Sequence, residues 1–141
     1  MEFFKALKSA AVKSRRRNGV KMYYASGEVQ FSRLFGYQRN GNRYEPILKY
    51  KNAIETIFRM LGEGKTVVEI KQVLDANGWR DSSNNLYSHS RILGIAERPI
   101  YAGYLQKGFR LAKISNLTPM VSIDFWRRVQ RQVKNEKVKL V

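Results

Sequence analysis

The helical periodicity that can build a core in this chain falls where the chain has no net charge. Residues 52–99 hold six Lys or Arg and six Asp or Glu, whereas residues 1–51 hold twelve and three and residues 100–141 nine and two. A fold must therefore draw its interior from a neutral middle and carry strongly basic flanks on it. Within that middle, Ile54, Ile57, Phe58 and Leu61 form one apolar stripe, closed by Gly62 and Gly64. Thr66 and Glu69 then match a capping box, in which the threonine oxygen accepts from the third helical amide and the glutamate reaches back to the cap. That box leads into Ile70, Val73 and Leu74, and Gly78 ends the segment. After a polar loop, Asp81 to Asn85, Ser88 offers an N-cap to a short helix with Ile92, Ile95 and Ala96 inward, which must stop before Pro99. The spacing predicts three helices in a helix-turn-helix-like arrangement.

The flanks read as smaller elements. Phe3 or Phe4, Leu7, Ala10 or Ala11 and Ser14 recur at helical spacing over residues 3–17, and Asn18-Gly19 supplies a stop. Lys21–Phe31 follows neither period and reads as an extended linker. Asn40-Gly41, flanked by Phe35, Tyr37 and Tyr44, predicts a hairpin within Leu34–Ile47. Ile100, Tyr101, Tyr104, Leu105, Phe109 and Leu111 alternate around Lys107-Gly108 and predict a second hairpin or wing. Ser122 caps a last helix with Phe125, Val129 and Val133 on one face and Arg127, Arg128, Arg131 and Lys134 on the other. At 141 residues and 43% hydrophobic, one core is expected. The fold class is thus helix-rich α+β: a trihelical core, small β-hairpins and basic terminal helices. Residues 1–28 form an N-terminal helix and basic linker, and residues 29–141 the folded domain.

A net charge of +16 confined to two flanks suits wrapping a polyanion, because each neutralised phosphate releases condensed counterions. Nucleic acid is the first partner this suggests; a solvated basic surface is the plainer reading. The chain has no cysteine and one histidine, which excludes disulfides and cysteine-ligated zinc and leaves no metal or other cofactor expected. No run approaches eighteen apolar residues and no signal peptide opens the chain, so the expected setting is cytoplasmic, associated with the nucleoid and not with a membrane.

The order of motifs carries a resemblance. Phe35-Gly36-Tyr37, Glu45-Pro46, the Ile54/Ile57-Phe58 helix, Gly64-Lys65-Thr66 with Glu69-Ile70, Leu74-Asp75-Ala76-Asn77-Gly78, Tyr87-Ser88, Ile92, Ile95 and Pro99-Ile100-Tyr101-Ala102-Gly103 resemble the DNA-binding "recombinase" domain of large serine recombinases. Leu117-Thr118-Pro119-Met120-Val121, Phe125 and Val129-Gln130 look like its continuation, so the likeness runs from Phe35 to Val133. Residues 2–19 look like the end of the long helix that leaves the family's catalytic domain. Leu34, Asp75, Arg98 and Tyr87 depart from the family's usual Pro, Asn, Asn and Trp. The resemblance implies binding of double-stranded DNA at one half of an attachment site. It also implies that the nucleophilic serine, the zinc ribbon and the surfaces for oligomerisation belong to parts not found here, so the chain itself is expected not to be an enzyme.

Candidate contacts follow from this. Arg15, Arg16, Arg17 and Lys21 have the composition of an arm entering a minor groove, or of a solvated helix end. Arg91 and Arg98 stand two turns apart on the third helix, with Gly94 between them, and could meet base edges or simply face solvent. Ser88, His89 and Ser90 open that helix, and Lys107, Arg110 and Lys113 belong to the wing. No carboxylate pair or nucleophile accompanies His89, so it reads as a helix-start contact and not as a catalyst. Tyr23-Tyr24 and Phe3-Phe4 suit packing better than base stacking. The alternative function is an RNA-binding or ribosome-associated basic module, using the same charge without groove readout.

Overall fold

The computed structural model describes residues 20–140. The helix expected over residues 3–17, with Arg15, Arg16 and Arg17, lies outside them. The described chain runs through strands β1 (Val20–Tyr23), β2 (Val29–Phe31), β3 (Tyr37–Asn40) and β4 (Arg43–Pro46), then helices α1 (Leu48–Gly62), α2 (Val67–Ala76) and α3 (His89–Glu97). A 3₁₀ turn (Pro99–Ala102), strands β5 (Tyr104–Lys107) and β6 (Arg110–Lys113), and helix α4 (Ile123–Lys139) complete it. The fold is helix-rich α+β, as the sequence predicts.

Helices α1, α2 and α3 pack on one another through Ile54, Ile57, Phe58, Leu61, Ile70, Leu74, Ile92 and Ile95, all buried. The capping box forms as read: the Thr66 hydroxyl accepts from the Glu69 amide at 3.2 Å while the Glu69 carboxylate accepts from the Thr66 amide at 3.0 Å. Ser88 caps α3 by accepting from the Arg91 amide at 3.1 Å. Helix α4 lies across α1 and α3, burying Val129 and Val133. Its polar residues fasten it there: Gln130 donates to the Ala96 carbonyl at 2.9 Å, Gln132 to the Lys65 carbonyl at 2.9 Å, and Glu136 accepts from the Val67 amide at 2.7 Å. Gly62 permits the close approach, since a Cβ there would stand 2.5 Å from the Phe125 ring.

Among the described residues, three two-stranded antiparallel sheets accompany this core, one more hairpin than the sequence reading predicts. Lys21–Phe31 is not a linker: β1 pairs with β2, burying Val20 and Val29 around a turn in which Gly27 takes φ +88°. The register slips between Val20 and Met22, so Lys21 sits in a bulge that shifts the alternation by one residue and hides the strand period. The division expected after residue 28 falls inside this hairpin. In β3–β4, Gly41 takes φ +64° at the first turn position, the geometry a tight hairpin needs. The third hairpin is shorter than expected, because Pro99 to Ala102 wind into a 3₁₀ turn that buries Ile100 and Tyr101 before β5 begins.

Segment 115–118 joins the hairpins. The Asn116 side chain accepts from the Val29 amide at 2.9 Å and donates to the carbonyls of Val29 at 3.1 Å and Asn42 at 2.7 Å. Tyr44 and Leu117 meet in a parallel bridge, with the Tyr44 amide donating to the Asn116 carbonyl at 2.8 Å.

Candidate nucleic-acid interface

Two basic surfaces emerge from this packing. The first is a cleft of about 660 Å³ between the β2–β3 loop, the start of α1, the 81–83 loop and α3, and its arginines are Arg33, Arg91 and Arg98. Gly36 lets the loop close over α1: its φ is +91°, and a Cβ there would lie 2.6 Å from Ile54 Cδ1. That position holds Phe35 against Tyr50, ring centroids 5.0 Å apart, and against Tyr87 at 6.2 Å. The Arg91 guanidinium lies over the Phe35 ring at 4.8 Å, and its Nε is buried without a hydrogen-bond partner. A guanidinium over an aromatic face keeps its charge while its stem is desolvated, so it stays available to an anion. The acid in this cleft, Asp81, is engaged by its own loop, with Oδ1 accepting from the amides of Ser83 and Asn85, both at 2.9 Å.

Buried tyrosines pack behind the cleft. Burial pushes the Tyr101 hydroxyl up to about 12 even though Arg98 and Arg91 pull the other way. Tyr101 donates to the Phe35 carbonyl at 3.0 Å and Tyr37 to the Thr118 carbonyl at 2.7 Å, so both hydroxyls are already committed within the fold. Burial, helped by Asp81 and opposed by Arg91, also raises Tyr87. These tyrosines are neutral at pH 7, and the positive charge of the cleft is not offset by phenolates.

The second surface is the β5–β6 hairpin. Lys107 Nζ sits 4.4 Å from the centroid of Tyr23, whose hydroxyl donates to the Lys113 carbonyl at 2.9 Å. Tyr23 therefore fixes the first hairpin to the third, as a packing residue. Lys21, Arg110 and Lys113 are exposed, and none of these three nor Lys107 enters an ion pair among the described residues.

The sequence-predicted residues thus fall into two groups. Arg91 and Arg98 do come together, but as half-buried walls of a cleft and not on a free helix face, because the Leu34-Phe35-Gly36 loop covers that side of α3. Among the described residues, nothing outside the helix backbone around Gly94 and its two chain neighbours comes within 4 Å of where a Cβ on it would stand. Ser88 is exposed and works as a cap, His89 is half-buried and Ser90 exposed beside it. Lys107, Arg110 and Lys113 share the wing, with Lys21 on the neighbouring hairpin. Arg15, Arg16 and Arg17 lie outside the described residues. Arg33 is absent from the sequence prediction, and no local signal marks it, since only the closure of the loop brings it beside α3. Among the described residues, no three His, Asp or Glu side chains gather in a way that could hold a metal ion, and no helix is long and apolar enough to cross a membrane.

Comparison with known proteins bears on what these surfaces serve. No curated protein is significantly similar to the chain in sequence. Among the solved structures that share its fold are two that bear on DNA. A crystal structure of an LSR–DNA complex superposes with a TM-score of 0.59 at 17% identity, covering 77% of this chain and 34% of that one. A structure concerned with the sequence requirements of the Listeria innocua prophage attP site superposes with a TM-score of 0.61 at 14% identity, covering 94% of this chain and 50% of that one. The chain therefore spans a third to a half of those proteins. The Recombinase family model matches residues 49–136, from the first turn of α1 to the buried glutamate of α4. With more than half its length matched in this way, and with α2, α3 and nearly all of α1 and α4 inside the match, the chain belongs to the Recombinase family.

Proposed function

We propose that the chain binds double-stranded DNA at an attachment half-site, as the DNA-binding part of a site-specific serine recombinase, and that it does not itself cut DNA. The observation that carries this reading is the juxtaposition of Arg33, Arg91 and Arg98 in one cleft whose acid is internally bonded. The Arg91 guanidinium, already held over the Phe35 ring, meets a phosphate or guanine edge with little ordering cost. Membership in the Recombinase family supports the role, as do fold neighbours described as an LSR–DNA complex and as bearing on a prophage attP site. Ser88, His89 and Ser90 open α3 just ahead of Arg91 in the chain. Lys107, Arg110, Lys113 and Lys21 provide a second basic surface on the hairpins, and Arg15, Arg16 and Arg17 a further cationic run earlier in the sequence.

The test is a titration of the chain against duplex DNA and structured RNA at several salt concentrations, followed by selection of preferred duplexes from a random pool. Duplex binding is expected to be tighter than RNA binding, and one sequence class should be enriched. Arg91→Ala and Arg98→Ala should each lose about 1–3 kcal/mol on the selected duplex and much less on random DNA. Equal or tighter RNA binding would favour the basic RNA-binding alternative instead. Nicking of supercoiled plasmid by the pure chain, abolished by a substitution within it, would overturn the non-catalytic part of the proposal.

A further inference from the structure

The turn of the β5–β6 hairpin holds the most exposed large apolar side chain of the described residues. Phe109 is 106% exposed, more open than in an extended peptide. Four features make its exposure more than an accident of a loop. The turn is tight: Lys107 pairs with Arg110, leaving Gly108 and Phe109 as its two residues, with Gly108 at φ +61°. The ring is therefore presented at the end of a paired ribbon. The root of that ribbon is anchored by buried Leu105 and Ile114, by the Ile114 amide donating to the Gly103 carbonyl at 2.8 Å, and by Tyr23 donating to the Lys113 carbonyl at 2.9 Å. The ring is flanked on both strands by cations, Lys107 and Arg110. Neither of these, nor Lys113, meets a carboxylate among the described residues.

An apolar tip for a protein interior would be flanked by residues that shed water easily. A tip between cations without carboxylate partners suits a ligand with an apolar interior edged by negative charge. A nucleic-acid duplex has that build, with stacked bases inside two phosphate strands, and an inserted aromatic wedge can open a base step. We infer that Phe109 is a stacking wedge: on binding duplex DNA it inserts at a base step, with Lys107 and Arg110 on the flanking phosphates. This inference rests on the duplex-binding reading proposed above and adds to it a contact that unstacks and bends the DNA. The anchored hairpin gives the ring its leverage, because a tip free to swing would yield before the base step did.

The experiment uses the whole chain and a 40-bp duplex of mixed sequence. Phe109→Trp places an indole reporter at the tip, and emission from Trp79 and Trp126 is removed by titrating the unaltered chain in parallel. Saturating duplex should quench the emission of the tip indole by more than half and shield it from acrylamide. Phe109→Ser, at a position fully exposed among the described residues, should leave thermal stability unchanged, weaken duplex binding about tenfold, and raise energy transfer between labels flanking the bound site less than the unaltered chain does. If the unaltered chain binds the duplex while Phe109→Ser binds equally well and the tip indole stays unquenched and open to acrylamide, the wedge is wrong and duplex binding stands. Failure of the unaltered chain to bind any duplex overturns both. Quenching by structured RNA alone, or by self-association of the chain in sedimentation, would assign the tip to another partner and overturn the inference.

Discussion

Glu136 is 1% exposed on the inner side of α4, where its carboxylate accepts from the Val67 amide at 2.7 Å and from Lys139 Nζ at 2.6 Å. Burial disfavours the charge, but the hydrogen bonds from Lys139 and Val67 outweigh it and hold the carboxyl below its usual range. The acceptor thus does for α2 what a cap residue would do, supplying a partner to an amide that the helix itself cannot satisfy. Glu136→Ala should cost about 1–3 kcal/mol in urea unfolding, since it strands a buried donor. A group with a depressed folded value stabilises above its unfolded pKa, near 4.5, and loses that contribution as the pH falls through the folded value. The stability gap between the unaltered chain and Glu136→Gln, which retains an acceptor but not the charge, should therefore be open at pH 7 and narrow as the pH drops below the carboxylate range. A gap independent of pH would show that the charge contributes nothing.

At the scale of elements, helices and hairpins differ in what makes them legible. α1, α2 and α3 announce themselves because each has an apolar stripe at helical spacing and a local start or stop signal, such as the Thr66/Glu69 box or the Ser88 cap. The first hairpin does not, because the bulge at Lys21 breaks its period and its stability comes from residues about ninety positions away, Asn116 and Lys113. The cleft is half legible for a similar reason. Arg91 stands on α3, but Arg98, expected on the same helix, is the extended residue just past its end, while Arg33 and the covering Phe35 arrive through a loop whose closure depends on Gly36. Asn116 offers a direct check on this long-range stitching. Asn116→Ala removes one acceptor and two donated bonds, so the Val29 amide should lose hydrogen-exchange protection while amides in α1 keep theirs. Equal loss across both would make Asn116 part of the global core and not a joint between hairpins.

For the molecule as a whole, the described part of the basic flanks lies around a neutral trihelical core. Their contributions should separate by salt. Replacing Arg15, Arg16 and Arg17 together by alanine removes three phosphate partners, so duplex affinity should fall on every sequence and the slope of log K against log salt should flatten by about two to three units. A lost preference for the selected duplex with an unchanged slope would instead make these residues the readers of sequence. The way α4 is fastened has a consequence for how the protein is made. Val129, Val133, Gln130, Gln132 and Glu136 complete the interior of helices translated more than thirty residues earlier. While a nascent chain is still short of residue 123, its first three helices hold an uncovered seam, and the fold closes only after the last helix has cleared the ribosome tunnel. Chaperone binding to stalled chains should therefore fall abruptly at that length, and not gradually with each helix made.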